Sequence, residues 1–371
     1  IWDLSGISEA SRNYIAALHL NGVQVSVDPY AHEARRADVS KAGDIAQSLA
    51  HRPLEAPIQI LHGTPENYWG WRKPDKYHIG YAVWETDRLP DKWVPLLNDQ
   101  VDEVWVPSQW NLEVFKNSGV TVPIYLIPHA IDPNPPVAGV HRYPEPPLVE
   151  KDIDEFVFYS IFQWIKRKNP EVLIQAYYEE FSSKEMVHLV LKTYHTDPTR
   201  CTRKQIDWDL DRIWRSVGRH QSDRPRITII NKALSRNELN RLHHISHCYV
   251  SASCSEGFGI PSVEALHFGN PVISVRYGGV LDYLNDQNSY LLDYQPEDVH
   301  GMLWDIYQAP QKWASVRVDD LRVAMRRAFQ DREGFEQRCQ KALETAPRYY
   351  WDQIAHQYLI PRLRQICHNL A

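Results

Sequence analysis

Two proline clusters, Pro133-Asn134-Pro135-Pro136 and Tyr143-Pro144-Glu145-Pro146-Pro147, divide the chain into a shorter first part and a longer second part. Proline has no amide hydrogen and a fixed φ, so neither cluster fits a helix interior or a central strand. The stretch reads as a linker over residues 136–150. On both sides of it, short β-branched and aromatic runs alternate with helical periodicity, the pattern of a parallel α/β sheet. A length of 371 residues accommodates two such units. The expectation is an α/β chain with two Rossmann-like parallel-sheet domains facing across a cleft, over 1–135 and 151–348. Residues 349–371 read as one amphipathic helix.

In the first part, Asp3-Leu4-Ser5-Gly6 leads into a helix over Ser8–Asn21 that Gly22 stops, and Val23–Val27 follows as a strand. Further strands are predicted at Pro57–Leu61, His78–Trp84, Glu103–Val106 and Pro123–Ile127. The helix after Ser108 has a ready N-cap and ends at Gly119. The second part reads as strand Phe156–Ser160, helix Pro170–Phe181, strand His188–Lys192, helix Gln205–Val217 and strand Ile227–Ile230. Helix Asn237–Ile245, strand His247–Ser251, strand Val272–Val275 and helix Pro296–Gln308 complete it. Open parallel sheets bind ligands beyond the carboxyl ends of their strands.

Composition narrows the class. A chain 43% hydrophobic and 24% charged can bury a core and is not disordered. No run of about eighteen apolar residues is present, which excludes a spanning helix. No basic segment followed by an apolar one opens the sequence, and a cytoplasmic location is the expectation. Five cysteines without a Cys-x-x-Cys spacing suggest reduced thiols rather than disulfides or a zinc site. A net charge of −6 weighs against a nucleic-acid partner, although a first-domain groove lined by Lys and Arg would reopen that reading.

The stretch Ser255-Glu256-Gly257-Phe258-Gly259-Ile260-Pro261-Ser262-Val263-Glu264-Ala265 carries the chemistry. It follows an apolar strand and combines a glycine-rich turn with a helix start, which presents backbone amides to an anion or to sugar oxygens. One carboxylate lies in the turn and the other within the helix, so they can reach separate parts of one extended ligand. Taken alone, this is also a helix cap followed by a surface glutamate. Ile165-Lys166-Arg167-Lys168-Asn169-Pro170 places three cations at a helix start, where the helix dipole repels them, and this favours a functional reason for their presence.

From Val250 to Leu284 the sequence VSASCSEGFGIPSVEALHFGNPVISVRYGGVLDYL resembles the donor-binding signature of the retaining glycosyltransferases of family 4, which have the GT-B fold. The resemblance implies a nucleotide diphosphate sugar as donor, with Glu264 on the ribose hydroxyls and Glu256 near the sugar. It also implies sugar contacts from the Gly257-Phe258-Gly259-Ile260 backbone, and a base-binding loop at Ala233-Leu234. Lys168 matches the family's phosphate-binding lysine. The arginine position falls near Gln163, so Arg167 or Lys166 would substitute. Gly6 matches a loop that approaches the diphosphate, although relatives carry two glycines there, and Ser160 joins the donor set. In the GT-B fold the last helix crosses back to the first domain.

The first domain departs from that family. Where relatives have a histidine after a strand, this chain reads Trp84-Glu85-Thr86-Asp87, which makes Glu85 and Thr86 candidates for acceptor-side chemistry. His62, at a strand end, is a further candidate, and His129 reads as structural. Tyr68, Trp69 and Trp71 form an aromatic patch suited either to stacking on an acceptor sugar or to core packing. No Asp-x-Asp pair follows a strand to hold Mg²⁺, so no cofactor is expected. The implied activity is metal-independent, retaining hexosyl transfer to an unidentified acceptor hydroxyl on a glycan, lipid, small molecule or modified nucleobase. A catalytically silent sugar-nucleotide-binding subunit and a sugar-nucleotide epimerase are the alternatives.

Overall fold

The computed structural model describes residues 5–29, 40–133, 149, 154–194, 202–302, 305–307 and 309–371. Asp3, Leu4 and all of the proposed linker except Val149 lie outside the described residues.

Helix α1 (Gly6–Leu20) starts where the Ser5 hydroxyl accepts from the Ser8 amide and stops before Gly22, whose φ of +81° suits glycine. Helix α2 (Lys41–Leu49) follows. Strands β1 (Ile58–His62), β2 (Tyr77–Tyr81), β3 (Glu103–Val106) and β4 (Ile124–Leu126) form an all-parallel sheet in sequential order. Helices α3 (Tyr68–Trp71), α4 (Trp93–Gln100) and α5 (Gln109–Asn117) connect them. Val23–Val27 does not form the predicted strand. Among the described residues it makes a single isolated bridge, Val27 to Ala50, and Val23 and Val25 are half-buried.

The second sheet holds β5 (Phe156–Gln163), β6 (Val187–Tyr194), β7 (Arg226–Ile230), β8 (Cys248–Ser251), β9 (Val272–Val275) and β10 (Ser289–Leu292). All pairings are parallel, in the order β10-β9-β8-β5-β6-β7. Helices α6 (Pro170–Glu180), α7 (Arg203–Val217), α8 (Arg236–Ile245) and α9 (Ile260–His267) cross between these strands. Continuous Val, Ile and Leu runs in these strands fit a sheet covered on both faces.

The described residues of the 296–308 stretch, 296–302 and 305–307, form no helix. Strand β11 (Pro296–Asp298) pairs antiparallel with β12 (Lys312–Ala314). The pairing brings the fully buried Trp313 against Val299 and Cys254, a burial that a surface helix would not provide. Helices α10 (Val318–Gln330) and α11 (Arg332–Thr345) then precede the C-terminal segment. That segment is not one regular helix. Helix α12 (Trp351–Ile354) runs through a π turn at Ala355–Leu359 into α13 (Ile360–Leu370), at Pro361, which has no amide hydrogen to continue the α pattern.

One apolar cluster includes Ala10 and Tyr14 of α1, Ile79 and Tyr81 of β2, Tyr159 of β5, and Trp351, Ile354 and Leu359. The Trp351 indole donates to Asn13 Oδ1 at 2.7 Å. Arg362 of α13 ion-pairs with the fully buried Glu103, which also accepts from Tyr77 (2.8 Å) and the Trp105 indole (2.6 Å). A carboxylate this deep is tolerated only with such partners. The C-terminal helices are therefore fastened onto the first sheet. Among the described residues, no helix is long and apolar enough to cross a membrane, and Cys248, Cys254, Cys339 and Cys367 are free thiols.

Candidate functional site

Strand order reverses between β5 and β8: from β5 the chain builds outward through β6 and β7, then returns to add β8, β9 and β10 on the other side. Such a switch point opens a crevice at the strands' carboxyl ends. The 3₁₀ turn Lys166–Lys168 leaves β5 there, and the Ser255–Glu264 segment leaves β8. The two motifs singled out in the sequence are thus brought together.

Glu256 lies at their junction. The Lys168 ammonium donates to its Oε1, and Arg167 Nη1 lies 3.3 Å from its Oε2. Arg167 Nη1 also donates to the Ser255 carbonyl at 2.7 Å, while Nη2 stands 3.1 Å from Glu85 Oε1. Burial alone would raise the Glu256 pKa, but Lys168 and Arg167 outweigh it and hold the carboxyl at about 2. For Arg167, burial works against the charge, and Glu85 and Glu256 reverse that effect, so its pKa is raised. Burial pushes the Lys168 pKa below its ordinary value despite Glu256. Glu85 is further bound by Tyr307, whose hydroxyl donates to Oε2 at 2.6 Å and whose ring stacks on Trp84.

Glu264 has a parallel arrangement. Arg236 Nη1 donates to its Oε1 at 2.7 Å, and His243 Nε2 is 3.8 Å from Oε2. Burial opposes ionisation of Glu264, but Arg236 prevails and its pKa is lowered. Arg236 also pairs with Glu9 of α1.

The backbone between the glutamates is packed as closely as glycine permits. A Cβ on Gly257 would lie 2.3 Å from Val83 Cγ1 and 2.8 Å from the Trp84 carbonyl oxygen. Gly259 caps α9 at φ +83°, and the Tyr283 hydroxyl reaches the carbonyls of Phe258 (2.6 Å) and Gly259 (2.9 Å). The Ser108 hydroxyl donates to the Gly257 carbonyl at 2.8 Å, joining α5 to the motif. The Phe258 and Ile260 side chains are buried, so any ligand contact there comes from the backbone.

His62 ends β1 with Nδ1 2.7 Å from Ser11 Oγ of α1, while its Nε2 has no hydrogen-bond partner among the described residues. Burial lowers its pKa to about 3, so the ring is neutral at pH 7, and its Nε2 is buried. His129 is buried beside Tyr14 and Tyr81, 2.9 Å from each hydroxyl, and packs edge-on against Phe258.

Other candidates are placed differently. Thr86 is fully buried, and its hydroxyl is engaged by the Trp84 indole (2.6 Å) and the Arg88 carbonyl (2.8 Å), so it cannot reach a substrate. Tyr68 is likewise fully buried and donates to the Gly63 carbonyl at 3.1 Å, which excludes acceptor stacking. Trp71 is half-buried against the same core and Gly63, whereas Trp69 is 75% exposed and remains able to stack. Ser160 is buried within β5, and Leu234 is buried in the loop before α8, where only its backbone could face a ligand. A Cβ on Gly6 would meet nothing within 4 Å among the described residues.

Arg236, Glu9, Tyr307 and Tyr283 were missed in the sequence. A signal existed for Arg236: the capping box Ser235-x-x-Glu238 puts this cation in the first turn of a helix, against the dipole, as with Lys166–Lys168. Nothing local marks Tyr307.

The family described as "Glycosyl transferases group 1" matches residues 226–309. An uncharacterised protein of Sulfolobus islandicus rod-shaped virus 1 is 21% identical over 277 residues, spanning 70% of this chain and 68% of that protein. Trehalose synthase of Rubrobacter xylanophilus is 25% identical over 260 residues, 67% of this chain and 58% of that enzyme. In three dimensions the chain is similar to Anabaena HepE solved in complex with UDP, with a TM-score of 0.68 at 13% identity over 98% of each chain. The fold is GT-B, and with the matched domain it marks an enzyme of the glycosyltransferase class.

Proposed function

We propose that this chain transfers a hexose from a nucleotide diphosphate sugar to an acceptor hydroxyl, with retention at the anomeric carbon and without a metal ion. The observation that carries this reading is Glu256 held between Lys168 and Arg167 at the switch point, with Glu85 facing it from the other half. As the glycosidic bond breaks, negative charge develops on the β-phosphate, and Lys168 and Arg167 are the fixed cations able to stabilise it. Glu264 supplies a carboxylate suited to vicinal ribose hydroxyls. Glu256 and the amides of Gly257 and Phe258 address the sugar. Residues 151–348 serve as the donor domain and 1–135 as the acceptor domain. From the acceptor side, Glu85 and His62 orient the attacking hydroxyl, and Trp69 offers an exposed face to the acceptor. Anabaena HepE was solved with UDP and with UDP-glucose, which supports a UDP-sugar as the first donor to test.

A screen of UDP-, GDP- and ADP-hexoses for release of the nucleoside diphosphate tests the reading. Release from one of them, abolished in Glu256→Ala and unchanged in EDTA, is the expected result. No release from any donor overturns the activity, and loss of release on chelation overturns metal independence.

A further inference from the structure

Both glutamates of the donor motif are tied to the first half of the chain through a single arginine each. Glu256–Arg167–Glu85 is one bridge, and Glu264–Arg236–Glu9 is the other. The second has no role in the chemistry proposed above. Arg236 leaves the first turn of α8, where the Ser235–Glu238 capping box fixes the backbone. Its Nη1 donates to Glu264 Oε1 at 2.7 Å and its Nη2 pairs with Glu9 Oε1, and the side chain is 11% exposed. Glu9 is itself held rigidly: Arg12 Nη2 lies 2.7 Å from Oε2, and Asn13 Nδ2 lies 3.0 Å from Oε1. Glu9 and Gly6 belong to the opening of α1, whereas Glu264 lies in α9, so the bridge joins one helix from each half.

We propose that Arg236 is a positioning residue that couples nucleotide recognition at Glu264 to the placement of α1. This rests on the reading of Glu264 as the ribose carboxylate. The Arg236 hydrogen bond to Oε1 sets the Glu264 rotamer, with His243 Nε2 3.8 Å from Oε2, and leaves Oε2 to receive a hydroxyl. Through Glu9, the same guanidinium fixes the opening of α1 relative to the nucleotide. Glu9 therefore belongs to the nucleotide site without touching the nucleotide.

The test is calorimetric titration of the full chain with UDP, GDP and ADP, using wild type, Glu9→Gln, Arg236→Met, Arg236→Lys, the Glu9→Gln/Arg236→Met double variant and Glu264→Ala, with thermal melts to confirm folding. Glu9→Gln should weaken the best nucleotide about fivefold, and the double variant should be no weaker than Arg236→Met alone, because both substitutions break one chain of contacts. Arg236→Lys should recover part of the loss, which a general destabilisation would not. Wild-type affinity in Glu9→Gln, or a double variant whose loss is the product of the two single losses, overturns the coupling. Unchanged affinity in Glu264→Ala, or no binding of any of the three nucleotides by wild type, instead overturns the ribose reading beneath it.

Discussion

Glu85 and Arg167 meet at 3.1 Å, so the carboxylate supplied after β2 is held by the cation supplied after β5. Each half of the chain thus completes the electrostatics of the other. Tyr307, from the loop between β11 and β12, closes the arrangement by donating to the second Glu85 oxygen.

Tyr307→Phe keeps the ring that stacks on Trp84 and removes only the hydroxyl. It should cost about 1 kcal/mol of stability. With Glu85 freed on one side, the transfer rate should fall about tenfold while donor affinity stays near wild type. Glu85→Gln should lose more, on the order of a hundredfold. Single-turnover transfer and donor titration on each variant separate these effects, and a wild-type rate in Tyr307→Phe would remove that residue from the site.

Acid stability should report the Glu256 environment. Its folded pKa of about 2 lies below the ordinary 4.5, so the unfolded chain takes up the proton first. The stabilisation is complete above pH 4.5 and is lost as pH falls toward 2, with a size on the order of 3 kcal/mol. Glu264, held down by Arg236 against its burial, contributes with the same sign. Thermal melts between pH 6 and pH 2 should therefore show a shallower decline in Glu256→Gln than in wild type. Equal declines would mean that the Lys168 and Arg167 pairing does not govern this carboxylate.

The glycines divide sharply by the space around them. A Cβ on Gly279 would lie 1.9 Å from the Gly257 carbonyl oxygen and 2.6 Å from Ser108 Oγ, where the motif meets α5. Gly279→Ala should cost more than about 2 kcal/mol and depress transfer, because one of the partners is backbone. Gly6→Ala meets nothing among the described residues and should change stability by less than about 0.5 kcal/mol. Any loss of donor affinity in Gly6→Ala then reports a contact with the ligand rather than misfolding. Denaturant melts paired with nucleotide titration decide both.

Local pattern determined much of this protein. Glu103–Val106 and Val272–Val275 were legible to the residue, since apolar β-branched runs between turn residues need a strand wherever they sit. The strand–glycine turn–helix order of the Ser255–Ala265 stretch, and the cations ahead of α6, were equally plain, because a turn and a helix start are written in neighbouring residues. Tertiary structure decided the rest. Pro296–Asp298 became a strand only because Lys312–Ala314 came alongside it and Trp313 needed burial. Thr86 and Tyr68 were lost to the interior, while Arg236 and Tyr307 entered the site from segments whose own sequence gives no view of Glu9 or Glu85. A salt bridge between helices of different sheets depends on strand order and on how the C-terminal helices fasten the halves together. Neither is encoded in the periodicity of any single segment.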